Sequence, residues 1–196
     1  MARHREFDEE VALAGALNVF WKRGYTAASM QELCEAMGLN PGSVYAAYGS
    51  KHDLFLLAMR RYISDVTREG IGRIEKSASG IGGIRAYFDY LIDGIVAGRR
   101  QWGCLGTNAF MELGERDDLV QQIMAEHFLR LEDAFRRALE RDPGLVHLGQ
   151  KPVDLARYLV CVAQGLNVIA RTSPDRARLE GIVSAALSAC REPVAA

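Results

Sequence analysis

The most reactive group this chain offers lies between Gly98 and Leu105, where Gly-Arg-Arg-Gln-Trp-Gly-Cys-Leu places the Cys104 thiol after two guanidinium groups, in the predicted first turn of a helix. Nearby cations and a helix N-terminus both favour thiolate, which is open to oxidation or to addition of an electrophile. The plainer reading is a small residue packing that turn. Cys34, Cys161 and Cys190 are widely scattered without C-x-x-C spacing, which points to reduced thiols and away from a zinc ribbon or disulfide framework. His4, His52, His127 and His147 do not cluster at ligand spacing, so no metal is expected. No histidine stands near Cys104 as a base, and no phosphate-cradling glycine loop or paired acid-base set is present. We therefore expect no catalytic residues, no enzyme and no cofactor.

A second chemistry, recognition without bond making, is offered by Pro41 to Ala47. Pro41, Gly42, Ser43, Ala46 and Ala47 are small enough to bring a helix close to base-pair edges, and Ser43 is polar enough to bond there. The flanking residues position such a helix. Asn40 suits the N-cap, Pro41 the first helical position, and Val44, Ala47 and Tyr48 recur at helical spacing. Upstream, Ser29 and Glu32 form an S-x-x-E capping pattern before Met30, Leu33 and Met37. Gly38 tolerates the left-handed ending of that first helix, and Leu39 plugs the space between the two. Two short helices about a turn apart describe a helix-turn-helix. Its inner faces need cover, and the amphipathic stretch from Glu6 to Arg23 supplies it.

With 196 residues, 49% hydrophobic and 25% charged, the chain can bury a real core, and disordered and fibrous classes are disfavoured. No apolar run approaches bilayer-crossing length and MARHREFDEE lacks the apolar core of a signal peptide, so a cytoplasmic protein with no membrane partner is expected. The net charge is −1, and residues 1–61 hold seven Lys/Arg against seven Asp/Glu. Any positive surface must come from the arrangement of Arg3, Arg5, Lys22, Arg23 and Lys51. Ser50 opens a long helix reaching about Ile74, a natural strut, with Gly70 and Gly72 as places where it bends or frays. Further helices are predicted over Ile84–Gly98, Leu105–Leu113, Asp117–Glu140, Pro152–Ala170 and Asp175–Cys190, with Asp142-Pro143-Gly144 ending the third of these and a loop from Gly144 to Lys151. No segment alternates like a strand, so the expected fold is all-α. Its division is a helix-turn-helix domain over 1–62, a linking helix over about 50–75, and a helical domain over 63–196.

Between Gly24 and Phe55 the sequence resembles the DNA-binding domain of the tetracycline-repressor (TetR) family. The matching letters are Phe20, Gly24-Tyr25, Ser29-Met30, Leu33-Cys34, Met37-Gly38-Leu39, Gly42-Ser43-Val44-Tyr45, Tyr48-Gly49-Ser50-Lys51 and Leu54-Phe55. Ser29 stands where the family more often has Thr, Cys34 where a small Ala is usual, and Tyr48 where Phe is commoner. The resemblance implies a homodimeric repressor of a palindromic double-stranded operator, with a C-terminal domain that binds a small apolar or electrophilic effector and loosens the grip on DNA. It implies that Ser43 and Tyr45 face DNA, with Ser43 the better base contact, and that Lys51 and the Ser29 hydroxyl meet phosphates. Tyr48 lies at the backbone or packs beneath it. Arg3 and Arg5 form either a minor-groove arm or a frayed basic terminus.

The last two helices resemble the family's dimerisation pair. Ala163, Gly165, Ala170, Ala185, Ala186 and Ala189 would let helices approach, and Leu159, Val162, Leu166, Ile182, Val183 and Leu187 would supply apolar area, with Cys161 and Cys190 packing the seam. The candidate effector pocket is the aromatic and Met-rich set Tyr87, Leu91, Trp102, Phe110, Met111, Met124 and Phe128, joined by Phe88 and Tyr158; the same residues equally suit a plain core. His127 and Glu112 are either polar contacts to a ligand or, more simply, surface residues. The Gly-Cys-Leu segment resembles a subgroup that includes electrophile- and oxidant-sensing repressors, which makes Cys104 a candidate switch. Competing classes are a cysteine enzyme and a protein-binding adapter.

Overall fold

The computed structural model describes residues 7–142 and 151–190. These form nine α-helices with no strand among the described residues: α1 Glu9–Arg23, α2 Met30–Met37, α3 Pro41–Tyr48, α4 Lys51–Lys76, α5 Gly80–Val96, α6 Leu105–Leu113, α7 Asp118–Arg141, α8 Pro152–Ile169 and α9 Arg176–Ser188. A short 3-10 helix, Ala170–Thr172, follows α8. The all-α expectation holds. Helix α1 begins at Glu9 rather than Glu6, because the Asp8 side chain accepts the N–H groups of Glu10 and Val11 and fixes the start there. Helix α4 runs through Gly70 and Gly72 without a break, and Gly70 is buried against the Tyr87 ring. The arms at Arg3 and Arg5, His4, and the loop through Pro143 and His147 lie outside the described residues.

Contacts group the chain into two compact units. One runs to Ser64 and also takes in Leu105–Ile123; the other comprises Asp65–Cys104 and the chain from Met124 on. A division at residue 62 would have put Leu105–Ile123 in the second domain, but α6 bonds with the N-terminal residues instead. In the first unit Phe20 and Phe55 meet edge to face with centroids 5.1 Å apart, and Tyr25 lies 4.9 Å from Phe55. Helices α1 and α2 cross closely, for a Cβ on Gly15 would stand 2.2 Å from the Ala36 carbonyl oxygen.

The second unit is built around a buried cluster from α5, α7, α8 and α9, centred on Phe88, Leu91, Phe135, Leu159, Leu166 and Val183. The Phe88 and Phe135 rings stack 5.9 Å apart, and Tyr87 stands edge-on to both. By length and composition alone Pro152–Thr172 could cross a bilayer, contrary to the expectation that no apolar run is long enough. Here it is a core helix, since Leu155, Leu159, Ala163 and Leu166 are buried within this unit.

Candidate functional site

Every boundary of the α2–α3 segment is set by a local bond. Glu32 N–H donates to Ser29 Oγ at 3.1 Å while Ser29 N–H donates to Glu32 Oε2 at 3.1 Å, and Arg23 Nη2 reaches Glu32 Oε1 at 2.8 Å. These bonds, led by the one from the Ser29 backbone, hold the Glu32 carboxyl below its usual range. Gly38, at φ 65°, ends α2 in the left-handed region, and Leu39 N–H donates to the Cys34 carbonyl at 3.0 Å. Asn40 then accepts the Ser43 N–H at 2.9 Å and Pro41 takes the first turn of α3. The same device is repeated at α4, where Ser50 and Asp53 cap each other at 3.1 and 3.0 Å.

What α3 presents is set by what it buries. Val44 is its buried residue, so Pro41, Gly42, Tyr45 and Ala46 stand exposed, with Ser43 half-buried beside them. Tyr48 is half-buried with its ring 6.5 Å from that of Phe7. Ser29 is exposed, its hydroxyl engaged in the capping box. Lys51 is half-buried, its Nζ lying 4.6 Å from the Tyr25 ring centroid and 3.5 Å from the Thr26 carbonyl.

The turn before α2 is held from α6. Glu112 Oε2 accepts Tyr25 N–H at 2.9 Å and Oε1 accepts Thr26 N–H at 2.7 Å. Burial pushes the Glu112 carboxyl up, but the bonds from Thr26 and Tyr25 and the nearby Lys51 charge outweigh it and hold the group below its usual value. Asp117 is placed similarly. It caps α7 through Leu119 and Val120, and its other oxygen lies 2.6 Å from His52 Nε2. Glu112 thus clamps the turn before α2.

In the second unit a cavity of about 20 Å³ opens among α4, α5, α7 and α8. Of the pocket residues expected from sequence, it brings together Tyr87, Leu91 and Cys104. Trp102 and Phe128 are half-buried, Met124 is fully buried, and none of these lines the cavity; Phe110 and Met111 belong to the first unit, Met111 being 80% exposed. The wall also carries His127, which the sequence left as either a ligand contact or a surface residue, and three polar groups not expected in the pocket: Arg100 (6% exposed), Thr67 and Asn167. His127 is buried, not a surface residue. Its Nδ1 is 3.0 Å from Thr67 Oγ1, and burial, then the charges of Arg130 and Arg100, pull its pKa down to about 4, so the ring is neutral at pH 7. The signal was present in sequence, because His127 falls on the same helical stripe as Val120, Met124, Leu131 and Ala134.

The seam residues divide in two. Leu159, Ala163, Leu166, Ala170, Val183, Ala186, Leu187 and Cys190 are buried inside this chain's own core, which corrects the role assigned to them. Exposed on α8 are Tyr158, Cys161 and Val168, spaced for one face, with Gly181, Ala185 and Ala189 exposed on α9 and its end.

A capped two-helix unit with a small-residue second helix, backed by α1 and set on an all-α chain, defines a helix-turn-helix transcription regulator. The model for bacterial regulatory proteins of the tetR family matches residues 12–58. The uncharacterized HTH-type transcriptional regulator YezE of Bacillus subtilis (strain 168) is 31% identical over 191 residues, 96% of this chain and 98% of that one. The HTH-type transcriptional repressor ComR of Escherichia coli (strain K12) is 25% identical over 94% of this chain and 90% of its own. A solved structure of the TetR family regulator CifR, a cysteine mutant complexed with 26-base-pair operator DNA, is 31% identical, covers 95% of this chain and 99% of that one, and superposes with a TM-score of 0.84. The chain belongs to the TetR family of bacterial transcriptional regulators.

Proposed function

We propose that the protein is a homodimeric cytoplasmic repressor that reads a palindromic operator through α3 and releases it when a small molecule occupies the cavity. The observation that carries this reading is the exposed face of α3, where Pro41, Gly42 and Ala46 leave room for a base-pair edge, Ser43 supplies the polar contact and Tyr45 stands exposed beside them. The CifR complex with operator DNA supports a duplex partner. In this reading Ser43 and Tyr45 face the groove, Ser29 and Lys51 meet phosphates, and Tyr48 packs beneath. Two such helices on one palindrome need a spacing of about 34–36 Å, hence a dimer. The exposed apolar stripe Tyr158, Cys161 and Val168 is its contact on α8. Release requires an effector that binds two states unequally.

Selection from random duplex DNA, followed by binding titrations, tests it. A palindromic sequence should emerge; Ser43→Ala should relax specificity at one position, and Lys51→Ala should weaken all sequences alike and lower the salt slope by about one. An intact dimer that binds no duplex at low salt would instead mark an adapter. One observation favours a second reading, a thiol switch: Cys104 lies on the cavity wall. Release by electrophiles that survives Cys104→Ser would rule this out.

A further inference from the structure

The cavity of about 20 Å³ in the second unit holds one water-sized group, so any larger occupant enters only when a wall moves. Tyr87, Leu91 and Leu131 line it from the packed core, where there is no space to give way. The outer wall differs. Val66, Thr67 and Ile71 of α4 and Tyr90 of α5 line the cavity while remaining partly open to solvent. At this level α4 is tied inward, with Thr67 Oγ1 3.0 Å from His127 Nδ1. The Tyr90 ring is held from the outside. Its hydroxyl donates to Glu69 Oε2 at 2.8 Å, Arg73 Cζ stands 4.3 Å from its centroid and Arg100 Cζ 5.2 Å from it. Burial, then the Glu69 bond, push the Tyr90 phenol above its ordinary pKa against the opposing Arg100 charge, so it keeps its proton and donates. Glu69 and Arg73 are exposed, so water competes for both and the hold is a weak one.

We infer that the Tyr90 ring is the door of this cavity, latched by its hydrogen bond to Glu69 and by the two guanidinium groups that flank it. Rotation of the side chain toward solvent opens the outer wall and exposes Cys104 and the polar groups of the inner one. The inference rests on the effector reading above and names how that site is entered. An effector then binds the unlatched arrangement and not the latched one, which is the unequal binding that release from an operator needs.

Cys104, buried on the cavity wall, reports this opening without any effector. The full-length protein is treated with iodoacetamide, and alkylation at each cysteine is followed by mass spectrometry of its tryptic peptides. Where closing outpaces alkylation, the rate at Cys104 measures the population of the open form. Tyr90→Phe keeps the ring and deletes the latch oxygen; Glu69→Ala deletes the acceptor from an exposed helix position. Each should speed Cys104 about three- to tenfold. The double variant should be no faster than either alone, because both changes remove one bond. Cys190, buried in the same unit, should keep its rate. Unchanged Cys104 rates in both single variants overturn the latch. So do single effects that multiply in the double variant, or a rise shared equally by Cys190, which marks loosening of the whole unit.

Alkylation at Cys104 also leaves a carbamidomethyl group in the cavity. The operator affinity of labelled Tyr90→Phe is therefore compared with that of Tyr90→Phe/Cys104→Ser treated alike, and the labelled thiol should weaken it. Equal affinities overturn the cavity as an effector site and leave the latch standing; failure of the labelling test does the reverse.

Discussion

His127 and Glu112 show how single side chains tie this protein's stability to pH, and they do so from opposite chemistries. The folded pKa of His127 is about 4, below its ordinary 6.5, so the fold binds fewer protons there than the unfolded chain does. Its contribution is complete above pH 6.5, declines as pH falls toward 4, and amounts to roughly 3 kcal/mol over that window. Urea midpoints measured at pH 7 and pH 5 should therefore separate strongly in the natural protein and far less in His127→Gln. Glu112 also has a lowered folded pKa, so its contribution is present above the ordinary carboxylate range and lost as pH falls through the folded value. Replacing it by Gln leaves the Tyr25 and Thr26 amides with a weaker acceptor. We expect a loss of about 1 kcal/mol at neutral pH, discounted by the solvent at this partly exposed site, and a weaker operator complex because the turn before α2 is no longer clamped. A complex of unchanged affinity would show that the clamp serves stability alone.

Among the elements, α1 and α2 approach each other with no room for a side chain between them. Only hydrogen occupies the space between Gly15 and the Ala36 carbonyl, because a Cβ would stand 2.2 Å from that oxygen. Gly15→Val must push the helices apart, and the obstacle is backbone that cannot rotate away. We expect a destabilisation of about 1–3 kcal/mol, read as a lower thermal midpoint, with operator binding impaired even well below the melt. The same substitution at Gly72, where a Cβ meets nothing, should be neutral or slightly stabilising, because valine is a better helix former than glycine. Local elements were largely legible in the sequence for one reason: their ends are made by side chains a few residues away. The Ser29–Glu32 box, the left-handed Gly38 and the Asn40–Pro41 start all appear as short-range patterns before any tertiary contact is known. The early start expected for α1 missed because Asp8, read as part of the helix, is its cap.

For the whole molecule, the test is of assembly. Val168 is 60% exposed on α8 in line with Tyr158 and Cys161, and a carboxylate there would have to be buried if this face meets a copy of itself. Val168→Glu should sediment as a folded monomer and lose operator affinity in the same concentration range; a dimer that persists would place the seam elsewhere. The sequence by itself determined the all-α class, the helix-turn-helix and the exposed face of α3, since each follows from periodicity, caps and residue size. Only the tertiary structure decided which residues share a space. It sent Met111 to solvent and Glu112 to the turn before α2, gave Leu159 and Val183 to the chain's own core, and gathered Arg100, His127 and Asn167 around one cavity. The reason is geometric: a helical stripe says that a residue points inward, but which other stripe it meets depends on how helices far apart in sequence pack. A buried polar residue, read alone, therefore looks like either surface or core until its neighbours are known.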